Sequence, residues 1–274
     1  MATFVIGDVH GCFNELQSLF SIIDFNPEND TAIFVGDLVG RGPQSLEVLD
    51  FVIDVDKAAI HVLGNYDIRL LGILHGLIIP ERSDNFSQIL NSSNKQMYAN
   101  WLSSSKLLYY SPELNIVVTH AGIPPQWTLE KAIEYANHFE TYKTNKGLLK
   151  ILQDALLPPI LTWKEGMKPE DIIRYTLFGF TKMKYCYGDG TFDETCQGAP
   201  EQQSHSLVPW FRLRNQKQND YQRLIFGHWA ALGLLQEGSV ICCDTGCVWG
   251  GKLTAIQVDE EMKVFQVPSA FDET

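Results

Sequence analysis

The feature that most constrains this chain is a set of short apolar runs, each cut off by a cluster of Gly, Asp, His or Asn. They fall at residues 4–6, 31–35, 59–63, 116–119, 224–226 and 240–242. Runs this short are poor helices and suit buried strands. Between the early ones lie helical patterns, with Phe13, Leu16, Leu19, Phe20 and Ile23 at helical spacing, followed by Leu46, Leu49 and Ile53. Alternation of strand and helix predicts an α/β domain built from βαβ units. Two further strands, near residues 253–258 and 264–267, are expected to close the C-terminal end. No repeat or linker divides the sequence, so residues 1–274 read as a single domain. Residues from about 127 to 222 read differently: helical segments, Pro158-Pro159, several aromatics and the glycine-rich turn at 187–190. This stretch is expected to be a mainly helical insertion, either packed on the core or capping a substrate cleft.

The clusters that end the strands carry the chemistry. Gly7-Asp8-Val9-His10-Gly11 follows the first, Gly36-Asp37-Leu38-Val39-Gly40-Arg41-Gly42 the second and Gly64-Asn65-Tyr66-Asp67 the third. His120 and His228 each follow a later run. Open α/β sheets build their sites at the carboxyl ends of strands, so these side chains can converge. Any one of these elements alone is a common accident. All of them in this order, each behind a strand, predict a metal site. Carboxylates bind hard divalent ions and can bridge two of them, whereas imidazoles favour Mn, Fe, Co or Zn over Mg or Ca. Glycines let the backbone turn and approach closely.

Charge sharpens the same point. A formal net charge of −12 argues against a nucleic-acid partner and would repel any anionic substrate without local positive charge. Two divalent cations would supply it. Six cysteines include no CxxC pair, and with no signal-peptide pattern at the N-terminus they read as reduced core thiols. The longest apolar stretch, residues 70–80, is interrupted by His75 and too short to span a bilayer. A cytoplasmic protein with no membrane partner is expected.

The blocks GDVHG, GDLVGRG, GNYD, the THAG histidine and the FGHW histidine resemble the metallophosphoesterase family that includes protein serine/threonine phosphatases. The opening MATFVIGDVHGC, the segments HAGIPPQW and FTKMKYC, and the ending GHWA…DTGCVWGG further resemble the bacterial symmetrical diadenosine tetraphosphatases, over nearly the whole chain. The resemblance implies a central β-sandwich flanked by helices and a dinuclear site. Asp8 and His10 would serve one metal, Asn65, His120 and His228 the other, and Asp37 would bridge. It also implies hydrolysis of P1,P4-bis(5'-adenosyl) tetraphosphate to two ADP, with Mn or Co as the usual ions and Fe or Zn as alternatives.

The chain departs from the family pattern at one position. Tyr66 stands where the family has a histidine, assigned there as general acid and paired with the following acid, here Asp67. Losing a positioned acid costs about 10²–10⁴ in rate. A phenol can still donate a proton, and a phosphate leaving group demands less help than an alkoxide. Slow turnover is therefore expected, with Asp67 left to hydrogen-bond Tyr66. Arg41 matches the family's phosphate-binding arginine and suits a bidentate grip. Lys182 and Lys184 are candidates for the outer phosphates. Trp127, Trp163, Trp210, Trp229 and Trp249 could stack on adenine, with Trp127 and Trp229 favoured because each lies near a proposed ligand. Two other readings stay open: a protein phosphatase with the same metal core, and a dinucleotide-binding protein that has lost turnover.

Overall fold

A computed structural model describes residues 1–217, 223–259 and 261–271. The chain begins with three βα steps: β1 (Thr3–Ile6), α1 (Phe13–Ile22), β2 (Thr31–Phe34), α2 (Ser45–Asp54), β3 (Ala59–His61) and α3 (Asn65–Leu74). Next come α4 (Ser87–Asn91), α5 (Lys95–Ser104), β4 (Leu108–Ser111) and β5 (Ile116–Thr119). The region expected to be an insertion holds α6 (Leu129–Lys146), α7 (Leu148–Ala155) and α8 (Pro169–Thr181), then β6 (Tyr185–Cys186), β7 (Phe192–Asp193), β8 (Val208–Pro209) and α9 (Trp210–Lys217). It is mainly helical, but β6, β7 and β8 form a small sheet of their own; its expected last residues, 218–222, lie outside the described residues. Finally come β9 (Arg223–Phe226), β10 (Leu235–Glu237), β11 (Val240–Cys242), β12 (Lys252–Gln257) and β13 (Lys263–Pro268).

Two five-stranded sheets carry the domain, in the orders β13-β12-β1-β2-β3 and β10-β11-β9-β5-β4. In the first, β1, β2 and β3 run parallel, and the late strand β12 lies antiparallel beside β1, pairing Phe4 with Gln257. In the second, β5, β9 and β11 run parallel. Alternate side chains explain why both sheets read as unbroken apolar runs. Val5, Ile33 and Val35 pack with Val118, Ile225 and Ile241 in a core between the sheets. Their neighbours Phe4, Ile6, Phe34, Val117, Leu224 and Phe226 face the other way, into the core beneath the helices. Both faces are buried, so a one-residue slip would exchange the two sets and is resisted on each side.

The helices show the spacing their burial requires. Leu16, Leu19 and Phe20 of α1 are buried, as are Val48, Leu49 and Val52 of α2. Further on, α6 starts where the Thr128 side chain accepts the Lys131 N–H at 3.3 Å, and α8 starts at Pro169. Cys12, Cys186, Cys242, Cys243 and Cys247 are buried and none of the six cysteines is in a disulfide. Among the described residues, no helix is long and apolar enough to cross a membrane.

Candidate metal centre

Six parallel strands end on one side of the sandwich, and each hands a polar residue to the same place. The loop after β1 carries Asp8 and His10, that after β2 carries Asp37, and α3 opens on Asn65 just beyond β3. His120 follows β5 and His228 lies just past β9. The turns that aim them are tight: His10, Asp37, Arg41 and His228 all have left-handed backbones, with φ of 46°, 50°, 67° and 63°. Such conformations are costly for residues with side chains and collect at functional sites. Two glycines are required by close approach. A Cβ on Gly64 would sit 2.1 Å from Asp37 Oδ1, and one on Gly227 would sit 1.9 Å from Asp8 Oδ1.

Asp37 is the common member of two triads, Asp8–His10–Asp37 and Asp37–His120–His228, in each of which the candidate ligand atoms lie within 4.8 Å of one another. Its Oδ2 lies 3.4 Å from His10 Nε2 and 3.4 Å from His120 Nε2, while its Oδ1 accepts the Tyr66 N–H at 2.7 Å. Asn65 Oδ1 adds to the second triad, 3.2 Å from His120 Nε2. The imidazoles are oriented from behind. His10 Nδ1 faces the Val39 carbonyl at 3.1 Å and His120 Nδ1 the Val35 carbonyl at 3.0 Å, so Nε2 of each is the nitrogen presented to the site. His228 is turned round: its Nε2 faces the Lys182 carbonyl at 3.1 Å, leaving Nδ1. Its own N–H holds both oxygens of Asp8, at 3.1 and 3.0 Å.

The electrostatics fit cations. Burial pushes the Asp8 carboxyl well up, and the Asp244 and Asp37 carboxylates push it further. Burial also acts upward on Asp37, but the His120 and His10 imidazoles outweigh it and hold that carboxyl well below the usual range. Burial lowers His120, yet Asp37 and Asp8 raise it to about 10. A buried imidazole that would hold a proton this firmly marks a pocket short of positive charge. Divalent ions, ligated by the same carboxylates and imidazoles, answer that shortage.

Asp244 is the residue that sequence reasoning missed. It lies just beyond β11, is buried, and accepts the Gly246 N–H at 3.0 Å while its field reaches Asp8, Asp37, His10 and His120. The signal was present, because residues 240–242 end in the same strand-then-carboxylate pattern as the first two motifs.

Asp67 does not do what was expected of it. Fully buried, its Oδ2 accepts the N–H groups of Asp37 at 2.8 Å and Gly64 at 2.9 Å and faces His61 Nε2 at 3.1 Å, while Oδ1 accepts Leu38 N–H at 3.1 Å. It ties the second motif to the third from below, and its oxygens are occupied there rather than by the Tyr66 phenol. Trp127 and Trp229 also need correction as base contacts, being 0% and 1% exposed. Trp127 is enclosed by Tyr135, Trp163 and Tyr175, and Trp229 packs on Tyr185 with its Nε1 donating to the Gly198 carbonyl. Neither ring has a free face.

Two cavities flank the centre. The smaller, about 770 Å³, is lined by His10, Asp37, His228, Asp244, Lys184 and Trp249 among others. The larger, about 820 Å³, lies beside α3 and under α7 and α8, and includes Arg69, Arg174, Phe178 and Lys182 in its wall. Arg41, Asn65 and Tyr66 line both. The Arg41 guanidinium lies between two rings, 5.0 Å from the Tyr66 centroid and 5.4 Å from that of Trp249. Among the described residues it has no carboxylate partner, so its charge is available to an anion. The Lys184 ammonium donates to Gln197 Oε1 at 2.7 Å, and Lys182 contributes its carbonyl to His228.

Comparison with known proteins agrees with this arrangement. The sequence profile of the calcineurin-like phosphoesterases matches residues 1–232. The chain is similar to the symmetrical bis(5'-nucleosyl)-tetraphosphatase of Aliivibrio salmonicida, 38% identical over 95% of this chain and 96% of the relative. It is equally similar to that of Proteus mirabilis, 38% identical over 98% of each. Among solved structures, a candidate diadenosine tetraphosphatase superimposes with a TM-score of 0.67 at 22% identity, over 99% of this chain and 95% of that one. A yeast protein serine/threonine phosphatase shares the fold with a TM-score of 0.57 at 16% identity, over 100% of this chain and 81% of its own. The chain belongs to the calcineurin-like phosphoesterase family, in the branch of the symmetrical bis(5'-nucleosyl)-tetraphosphatases.

Proposed function

We propose that this protein hydrolyses P1,P4-bis(5'-adenosyl) tetraphosphate to two ADP. The observation that carries the reading is Asp37, one carboxylate shared by two ligand triads, with a free guanidinium four residues further on. Asp8, His10 and Asp37 would hold one divalent ion, and Asp37, Asn65, His120 and His228 the second, with Asp244 supporting the first set. The mixed imidazole and carboxylate donors favour Mn or Co, with Fe or Zn as the alternatives. When bound, such a pair neutralises phosphoryl oxygens and activates a water.

The protein's own groups do the rest. Arg41, held by its two aromatic neighbours, grips phosphoryl oxygens and offsets the repulsion expected from a net charge of −12. Lys184 and Lys182, one on each cavity wall, would meet the outer phosphates. Tyr66 stands edge-on to His10, with ring centroids 5.0 Å apart. Burial raises its phenol, the Arg41 charge only partly opposing, so the hydroxyl stays protonated at neutral pH and can donate to the departing ADP oxygen. Because ADP leaves as a phosphate, a weak donor suffices. The substrate is a small dinucleotide rather than nucleic acid, and six cysteines outside any disulfide suit a reducing cytoplasm.

The test is Mn-dependent release of ADP from the dinucleotide by the wild type, Tyr66→Phe and Tyr66→His. Turnover should be measurable in the wild type, about tenfold or more lower in Tyr66→Phe, and higher in Tyr66→His. Absence of turnover in the wild type, with tight dinucleotide binding, would sink the enzymatic reading in favour of a binding protein. Faster release of phosphate from a phosphopeptide would sink the substrate instead.

A further inference from the structure

The most exposed of the candidate tryptophans is not one of the two that the sequence favoured. Trp249 is 45% exposed, whereas Trp127, Trp210 and Trp229 are sealed in the core. Nor does it sit on a loose loop. It ends a 3-10 turn, Cys247–Trp249, flanked by Gly246 and Gly250 with φ of 71° and 90°. Cys247 anchors the turn inside the core, the Asp244 carboxylate accepts the N–H of the flanking Gly246, and Lys252 N–H closes the segment on the Thr245 carbonyl at 3.0 Å. A Cβ on Gly251 would lie 2.1 Å from the Thr245 oxygen, so the backbone there is pressed together. The fold therefore spends a rigid turn on holding a large apolar ring in water, at the mouth of the cavity that contains the candidate ligands.

Resting on the tetraphosphatase reading above, we propose that Trp249 is the stacking platform for one nucleobase of the substrate, and that the two nucleosides lie in the two cavities separated by Arg41 and Tyr66. Three observations combine. Arg41, Asn65 and Tyr66 are the residues common to both cavity walls, so a phosphate chain crossing the centre passes over them. The Arg41 guanidinium lies 5.4 Å from the Trp249 ring centroid, so the base platform adjoins the phosphate grip. The opposite cavity offers apolar walls at Ile68, Ile78, Leu156 and Phe178 and is of similar volume, enough for a second nucleoside. A symmetrical cut follows from a centre flanked by two rooms. Stacking is tolerant of the base, so guanosine and adenosine dinucleotides should both be accepted.

The experiment separates base from phosphate. Steady-state hydrolysis of the dinucleotide is measured for wild type, Trp249→Ala and Trp249→Phe, with inorganic tetraphosphate as a competitive inhibitor lacking bases. Trp249→Ala should raise KM for the dinucleotide about ten- to a hundredfold, with kcat changed far less and the inhibition constant of tetraphosphate, which feels only the loss of one aromatic neighbour of Arg41, rising much less than KM. Trp249→Phe should restore most of the loss. In parallel, with chelator present, ADP should quench the protein's tryptophan fluorescence in the wild type, and Trp249→Ala should lose that quenching. An unchanged KM, or a KM and a tetraphosphate constant that rise together, would overturn the proposal. If the wild type does not cleave the dinucleotide, the functional reading fails, and quenching by ADP still decides whether Trp249 meets a base.

Discussion

The strand-end cradle and the helical wall of residues 127–217 face each other across the same cleft, yet they are built by opposite rules. In the cradle, polar side chains are buried or half-buried and each is held by backbone groups: His10 by the Val39 carbonyl, His120 by Val35, His228 by Lys182, and Asp67 by three N–H groups. In the wall, the residues that look most like ligand contacts are used to pack. Trp127, Tyr135, Trp163, Tyr175 and Phe192 stack on one another with centroids 4.5 to 5.4 Å apart. Polar groups in the cradle are placed to act outward, and aromatics in the wall are placed to hold one another. Chemical type alone is thus a poor guide to role, and the backbone partner behind a side chain is a better one.

The largest expected effect tests the cradle at its shared member. Asp37→Asn should lower dinucleotide turnover by about a thousandfold, and metal analysis of the purified variant should find loss of both ions together. Loss of one ion alone would break the claim that Asp37 serves two triads. Next, Trp127→Ala should cost about 3–5 kcal/mol of stability, read as a lower urea midpoint. Its metal affinity per folded molecule should stay close to wild type; a matching loss of metal would show that wall and cradle are one unit. A smaller effect is expected at Asp244, which supports ligands rather than standing at the shared position. Asp244→Asn should weaken metal binding about ten- to a hundredfold, measured by titration with Mn.

The smallest effect concerns pH and the edge of the larger cavity. Asp84 receives the Arg69 guanidinium at 2.6 and 3.0 Å. Burial pushes its carboxyl up, but the Arg69 hydrogen bonds and the Glu81 N–H outweigh burial and hold it below the usual range. An unfolded aspartate titrates near about 3.9. The stabilisation is therefore present above about pH 4 and is lost as pH falls through the lower folded value. Asp84→Asn should remove about 1 kcal/mol of stability at pH 7, and flatten the acid limb of a denaturation profile taken from pH 5 to 2. An unchanged limb would assign that acid sensitivity to the cradle carboxylates.

Much of this was legible in one dimension because the features are local. A strand buried on both faces must be an apolar run, and a ligand at its end must follow directly, so Asp8, His10, Asp37, Asn65, His120 and His228 could be read from order alone. The same logic reached β12 and β13 but not their place beside β1, since strand order is a long-range choice among similar edges. Asp244 was equally local and was passed over because cysteines crowd around it.

The sequence alone determined the two-faced strands, the family and which polar residues stand at the strand ends, since each depends on neighbours a few residues away. Tertiary structure alone decided which tryptophan is open and what Asp67 holds. Each of those depends on which distant backbone arrives behind the side chain: Gly198 behind Trp229, and the Leu38 and Gly64 amides upon Asp67. Burial and partnership are properties of packing, and packing joins residues that no local pattern records.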